Sequence, residues 1–117
     1  MNAIEAVEAA KKVNSEVSEE TFYNAIKRLE KMIAQRAKIK NFVFDSSKPL
    51  LAAGGEISDI YDDVYVLYLK REGALQVEDG QCIARYDSLF ALRWRELLEE
   101  IVRKHKPEAQ SFKDWRW

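Results

Sequence analysis

The sequence predicts an all-α fold: a small bundle of about four helices, with a long loop between helices two and three and an irregular C-terminal tail. Two observations carry that expectation. Apolar residues recur at steps of three and four over several stretches, and the 117 residues include only four glycines and two prolines. An apolar share of 47% beside 33% charged residues is the profile of a chain that folds, and the length suits one domain with a single core. The expected organisation is a helical domain over residues 1–106 and a tail over 107–117.

From Ala3 to Val13, the residues Ile4, Val7, Ala10 and Val13 recur at helical spacing. The segment is short and its side chains are small, so its stability must come from docking. In "NSEVSEE", Ser18 offers an N-cap oxygen, and Glu19 and Glu20 place negative charge at the positive end of a second helix. Within that helix Phe22, Ile26, Leu29, Ile33 and Ala37 form one stripe, the clearest amphipathic pattern in the chain. Between Asn24 and Lys40, six cations (Lys27, Arg28, Lys31, Arg36, Lys38 and Lys40) stand against Glu30 alone. The plain reading is a solvated face with cations favouring the helix C-terminus.

"NFVFDSSKPLLAAGGEIS" breaks the pattern. Phe42 and Phe44 alternate with other residues, Pro49 bars a helix just before it, and Gly54-Gly55 is expected to loosen the residues after it. This reads as a long loop with room for a short strand, and a loop of this length is a candidate contact segment. Ser58 is the expected cap of the third helix, with Asp59, Asp62 and Asp63 in or near its first turn, where unsatisfied backbone N–H groups stabilise carboxylates.

The apolar run beginning at Val64 suits a buried strand by its β-branched and aromatic content. Its continuation into "KREGALQVEDG" favours a helix reaching about Glu78. On that helix Tyr61, Tyr65 and Tyr68 make one stripe, and Ile60, Val64 and Leu67 an adjacent one, so it belongs in the middle of the bundle. Asp79-Gly80 is the expected stop. Ile83, Tyr86, Phe90, Trp94, Leu97 and Ile101 then trace a long fourth helix, its apolar face widened by Leu89, Leu98 and Val102, with His105 near its end and Pro107 beyond. A carboxylate at Leu67 or Phe90 is expected to unfold the domain. Phe112, Trp115 and Trp117 lie among charges in the tail without helical or strand period. They suit either the chain's own core or a neighbour.

The function classes narrow by chemistry. A net charge of −1 lacks the basic excess that drives phosphate binding by counterion release, so nucleic acid is an unlikely partner for the chain as a whole. One cysteine, Cys82, and one histidine supply neither a disulfide, a triad nor a thiolate–imidazole metal site. The carboxylates Asp59, Asp62 and Asp63 lack the spacing of a calcium loop, and Gly54-Gly55 lacks the pattern of a phosphate cradle. No catalytic activity, cofactor or metal is expected, nor any signal peptide or transmembrane segment.

The combination "YDDVYVLYL", a helix closing in "DGQ", then "ARYDSLFALRW" and "VRKH", resembles a family of small phage and prophage proteins from Firmicutes, the head-tail connector or neck components. The resemblance rests on Tyr61, Asp62, Tyr65, Tyr68, Leu69, Gly80, Arg85, Tyr86, Trp94, Arg103 and His105, and the amino-terminal half shares only the helical outline. It implies a virion assembly part, several copies forming a ring between portal and tail, located in the virion or the host cytoplasm, with the portal and other head-tail proteins as partners. The expected interface residues are Phe42, Phe44, Asp59, Asp62, Asp63, Phe112, Trp115 and Trp117. The alternative is a small DNA-binding or regulatory protein using the basic face of helix two through Lys27, Lys31 and Lys38.

Overall fold

The structure is a computed structural model and describes residues 1–105, so Phe112, Trp115 and Trp117 lie outside the described residues. Helix α1 (Ala3–Val13) opens on a reciprocal cap: the Asn2 side chain accepts from the Glu5 amide at 2.9 Å, and the Glu5 carboxylate accepts from the Asn2 amide at 3.0 Å. Two otherwise unpaired donors are thereby satisfied. The buried face of α1 is Ala3, Ala6, Val7 and Ala10, while Ile4 and Val13, expected inside, are exposed. Small residues face the neighbouring helices because they allow close backbone approach.

Helix α2 (Glu19–Arg36) begins at Ser18, whose hydroxyl accepts from the Thr21 amide at 3.2 Å. Its expected stripe is buried throughout, from Phe22, Ile26, Leu29 and Ile33 to Ala37 just past its end. The helix stops because Lys38 turns left-handed, at φ 58°. The Lys38 amide donates to Gln35 at 3.1 Å and the Ile39 amide to Ala34 at 2.9 Å, the paired bonds of a Schellman closure. A β-carbon is disfavoured in that conformation, so Lys38→Gly is expected to stabilise the protein by about 1 kcal/mol, read as a rise in Tm of a few degrees.

Residues 37–61 connect α2 to α3. Far from being loosened by Gly54-Gly55, the segment contributes Leu50, Leu51, Ala52, Ala53 and Ile57 to the core. It is stitched by bonds from the Ile57 amide to Leu51 (2.8 Å), the Gly54 amide to Ser58 (2.9 Å) and the Leu50 amide to Met1 (2.9 Å). Among the described residues there are isolated bridges and no strand. Both glycines are needed. Gly54 sits at φ 109°, and a β-carbon at Gly55 would come within 2.6 Å of the Leu50 carbonyl oxygen and 2.8 Å of the Leu51 α-carbon. These obstacles are backbone and cannot swing away. Gly55→Ala is therefore expected to cost roughly 3 kcal/mol in urea unfolding, at the upper end for overpacking.

Helix α3 (Asp62–Gln76) starts later than the sequence suggests. Ser58 does not cap it: its hydroxyl meets the Ile60 amide in the preceding turn at 3.4 Å, and the bond from the Tyr61 amide to Ala52 (3.0 Å) holds that turn on the loop. Tyr61 is the capping residue and makes no side-chain cap bond. Asp62 and Asp63 do occupy the first turn, whereas Asp59 precedes the helix. The helix ends two residues before Glu78, which is left-handed at φ 57°. Bonds from the Glu78 amide to Leu75 (3.3 Å) and the Asp79 amide to Ala74 (3.0 Å) close it as α2 is closed.

Gly80 is thus not a stop signal but the first residue of helix α4 (Gly80–His105). Asp79 caps that helix, accepting from the Cys82 amide at 3.2 Å through its side chain and from the Ile83 amide at 2.9 Å through its carbonyl. In α4, Phe90, Leu97 and Ile101 are buried and Trp94 and Leu98 half-buried; Leu89 and Val102, expected to widen the core face, are exposed. Helix α3 packs against α1, α2 and α4, and α1 and α2 also pack together, which places α3 at the centre. The tyrosine stripe is buried as expected, whereas of the adjacent stripe Val64 is buried, Leu67 half-buried and Ile60, which precedes the helix, exposed. Helix α4 leans chiefly on α3. No helix among the described residues is long and apolar enough to cross a membrane.

Candidate functional site

The most organised polar cluster lies where α2 and α3 grip the central loop. Glu30, the single anion between Asn24 and Lys40, is 3% exposed. It follows Ile26 by one turn and precedes Ala34 by another, both buried, so the helical register carries its carboxylate inward. There it accepts from the Tyr65 hydroxyl at 2.6 Å and from the Leu51 amide at 3.0 Å. The Tyr65 oxygen in turn accepts from the Ala52 amide at 2.9 Å. Two consecutive backbone donors of a buried loop thus find acceptors on two helices, as buried amides must.

Burial pushes the Glu30 carboxyl above its ordinary value, with the bonds from Tyr65 and Leu51 pulling the other way without prevailing. The Tyr65 phenol is raised well above its usual range, first by burial and then by the adjacent Glu30 charge. Glu30 also lines an open groove of about 370 Å³ between the end of α2 and the loop, beside Phe42, Lys40, Lys48 and Glu56. Phe42 and Phe44 are half-buried and pack on the chain's own core.

A second cluster joins the start of α3 to α4. The Arg93 guanidinium forms a fork on Asp63, with Nε to Oδ2 at 2.7 Å and an Nη to Oδ1 at 3.1 Å, and also donates to the Ile60 carbonyl at 3.2 Å. Its centre stands 4.7 Å from the Tyr61 ring. Further along α4, the Tyr61 hydroxyl donates to Glu100 at 3.2 Å, and Lys104 pairs with the same carboxylate at 3.2 Å while also donating to the Ile57 carbonyl at 3.1 Å. Burial pushes the Glu100 carboxyl up, but the bonds and charge of Lys104, together with the Ser58 and Tyr61 hydroxyls, outweigh it and hold the carboxyl below its ordinary value. Nearby, Phe90 stacks on Trp94 with centroids 5.6 Å apart, and Arg71 covers both Tyr68 (5.0 Å) and Phe90 (5.3 Å).

The acidic residues singled out from the sequence therefore separate. Asp63 is bound within the chain by Arg93, whereas Asp59 and Asp62 are exposed. Lys27, Lys31 and Lys38 are exposed too, and none of them enters the ion pairs formed among the described residues. Among the described residues, no three His, Cys, Asp or Glu side chains gather as metal ligands. The Cys82 thiol is raised, first by its hydrogen bond with Asp79, which disfavours the reactive thiolate. Glu30 and Glu100 escape a reading of charge and motif. Their signal is positional, each carboxylate standing within a turn of buried apolar residues of its helix.

The described geometry is that of a small all-α protein whose buried carboxylates, Glu30 and Glu100, close its own loop and helix junctions. Searches of protein-family models, curated proteins and solved structures found no match to the chain.

Proposed function

We propose that the chain is a structural virion-assembly protein, a head-tail connector component that forms an oligomeric ring between portal and tail. The observation that carries this reading is the set of large apolar side chains left at the surface of the bundle. Leu89, Leu92 and Val102 on α4, and Ile60 before α3, are large apolar side chains left exposed, while Phe90, Leu97 and Ile101 of α4 are buried. The resemblance of "YDDVYVLYL" and "ARYDSLFALRW" to connector proteins points the same way. The ionisable groups brought together serve helix and loop closure, so the reading needs no chemistry from them. Native mass spectrometry, with the chain alone and with a portal protein, should show mass rising in steps with concentration and falling at high salt. A monomer throughout, at high micromolar concentration and with portal present, would overturn the proposal.

A second reading rests on the exposed, unengaged Lys27, Lys31 and Lys38. Phosphate binding by this face predicts a duplex-DNA mobility shift that weakens steeply with salt. Absence of any shift at low ionic strength removes it.

A further inference from the structure

We infer that the repeating contact between copies of this chain seats Ile60, flanked by Asp59 and Asp62, on the outward face of α2 at Met32, flanked by Lys31 and Arg36. The inference rests on the assembly reading and specifies the partner surface: a second copy of the same chain. Ile60 is 60% exposed and Met32 40%, so each patch has an exposed apolar centre. The flanking charges are all exposed and opposite in sign across the two patches. They enter none of the ion pairs formed among the described residues. An apolar centre ringed by complementary charge is the pattern that both excludes water and sets orientation.

The two patches occupy different sides of the bundle. Ile60 sits at the junction of α3 with α4, its carbonyl held by Arg93. Helix α2 packs on α1 and α3, and Met32, with Lys31 before it and Arg36 one turn beyond it, is exposed outside that packing. One copy therefore offers its Ile60 patch to a neighbour and keeps its Met32 patch free for another. Such a contact is heterologous and propagates, closing into a ring if the rotation permits.

The test is charge reversal in the 117-residue chain, read by sedimentation velocity at low salt. Asp59→Lys with Asp62→Lys, and separately Lys31→Glu with Arg36→Glu, change only exposed positions, and circular dichroism melts report whether each variant folds as the parent does. Each variant alone should self-associate about tenfold more weakly or worse, since like charges then face each other. An equal mixture of the two should recover assembly, because the reversed patch of one meets the reversed patch of the other with their signs exchanged. If the parent assembles but neither reversal weakens it, or the mixture fails to recover, this contact is wrong while the assembly reading stands. If the parent itself remains monomeric, alone and with portal, the assembly reading fails and this contact with it.

Discussion

Glu30→Ala is expected to lower the unfolding free energy by about 3 kcal/mol, a large share of the roughly 5–15 kcal/mol available to a domain of this size. The substitution strips the acceptor from both the Tyr65 hydroxyl and the Leu51 amide, and buried donors left unpaired carry their full desolvation cost. The loss should be local before it is global. In hydrogen exchange, the Leu51 and Ala52 amides should lose protection ahead of the α2 amides, because the loop is what the carboxylate holds. Unchanged protection at those two amides would show that the clasp does not secure the segment.

The same residue gives stability a pH dependence of definite sign. The folded Glu30 carboxyl is raised by burial, so it keeps its proton to a higher pH than the unfolded chain does. Between the ordinary carboxylate range and that raised value the folded state binds more protons, and stability falls as pH rises across the window. Glu100, held below its ordinary value, acts in the opposite sense, its contribution being lost as pH falls through the lowered value. Glu30→Gln should flatten the upper window. It should also lie between wild type and Glu30→Ala in stability, since an amide presents one acceptor to two donors. Urea midpoints measured across pH for the three proteins check both statements.

Leu69→Asp is expected to abolish the cooperative fold. Leu69 is fully buried in the central helix, and a carboxylate there costs several kcal/mol whether it ionises or stays protonated without partners. Circular dichroism should show the helical signal lost at ambient temperature, and a native-like melt would refute the placement of α3 at the centre. The structure separates this position from two neighbours that the sequence ranks beside it. Leu67 is only half-buried, so Leu67→Asp can turn its carboxylate to water and should be tolerated, contrary to the expectation from periodicity. Phe90 is buried, yet Arg71 lies over its ring at 5.3 Å, so Phe90→Asp would meet a cation and should unfold the protein less completely than Leu69→Asp.

The amino-acid sequence by itself determined the elements whose signals are local. The stripe from Phe22 to Ala37 and the Ser18 cap place α2, and the long spacing from Ile83 to Ile101 places α4. The tyrosines of "YDDVYVLYL", with Val64 and Leu69 beside them, send α3 to the centre. In each case the information lies in steps of three or four residues, each about one helical turn, over which a helix's own geometry relates neighbours. Helix ends are less legible. Lys38 and Glu78 terminate helices in a left-handed conformation that a glycine announces and these side chains do not, so Gly80 reads as a stop although it begins α4.

Only the tertiary structure decided what the loop and the charges do. "PLLAAGG" carries no helical or strand period, and its burial depends on Glu30 and Tyr65 arriving from separate helices to satisfy the Leu51 and Ala52 amides. Asp63 resembles Asp62 in sequence, yet one is forked by Arg93 and the other stands in water, a difference set by a residue 30 positions away. Hydrogen bonds and ion pairs of this kind join residues distant along the chain, and their partners exist only once the apolar stripes have brought the helices together.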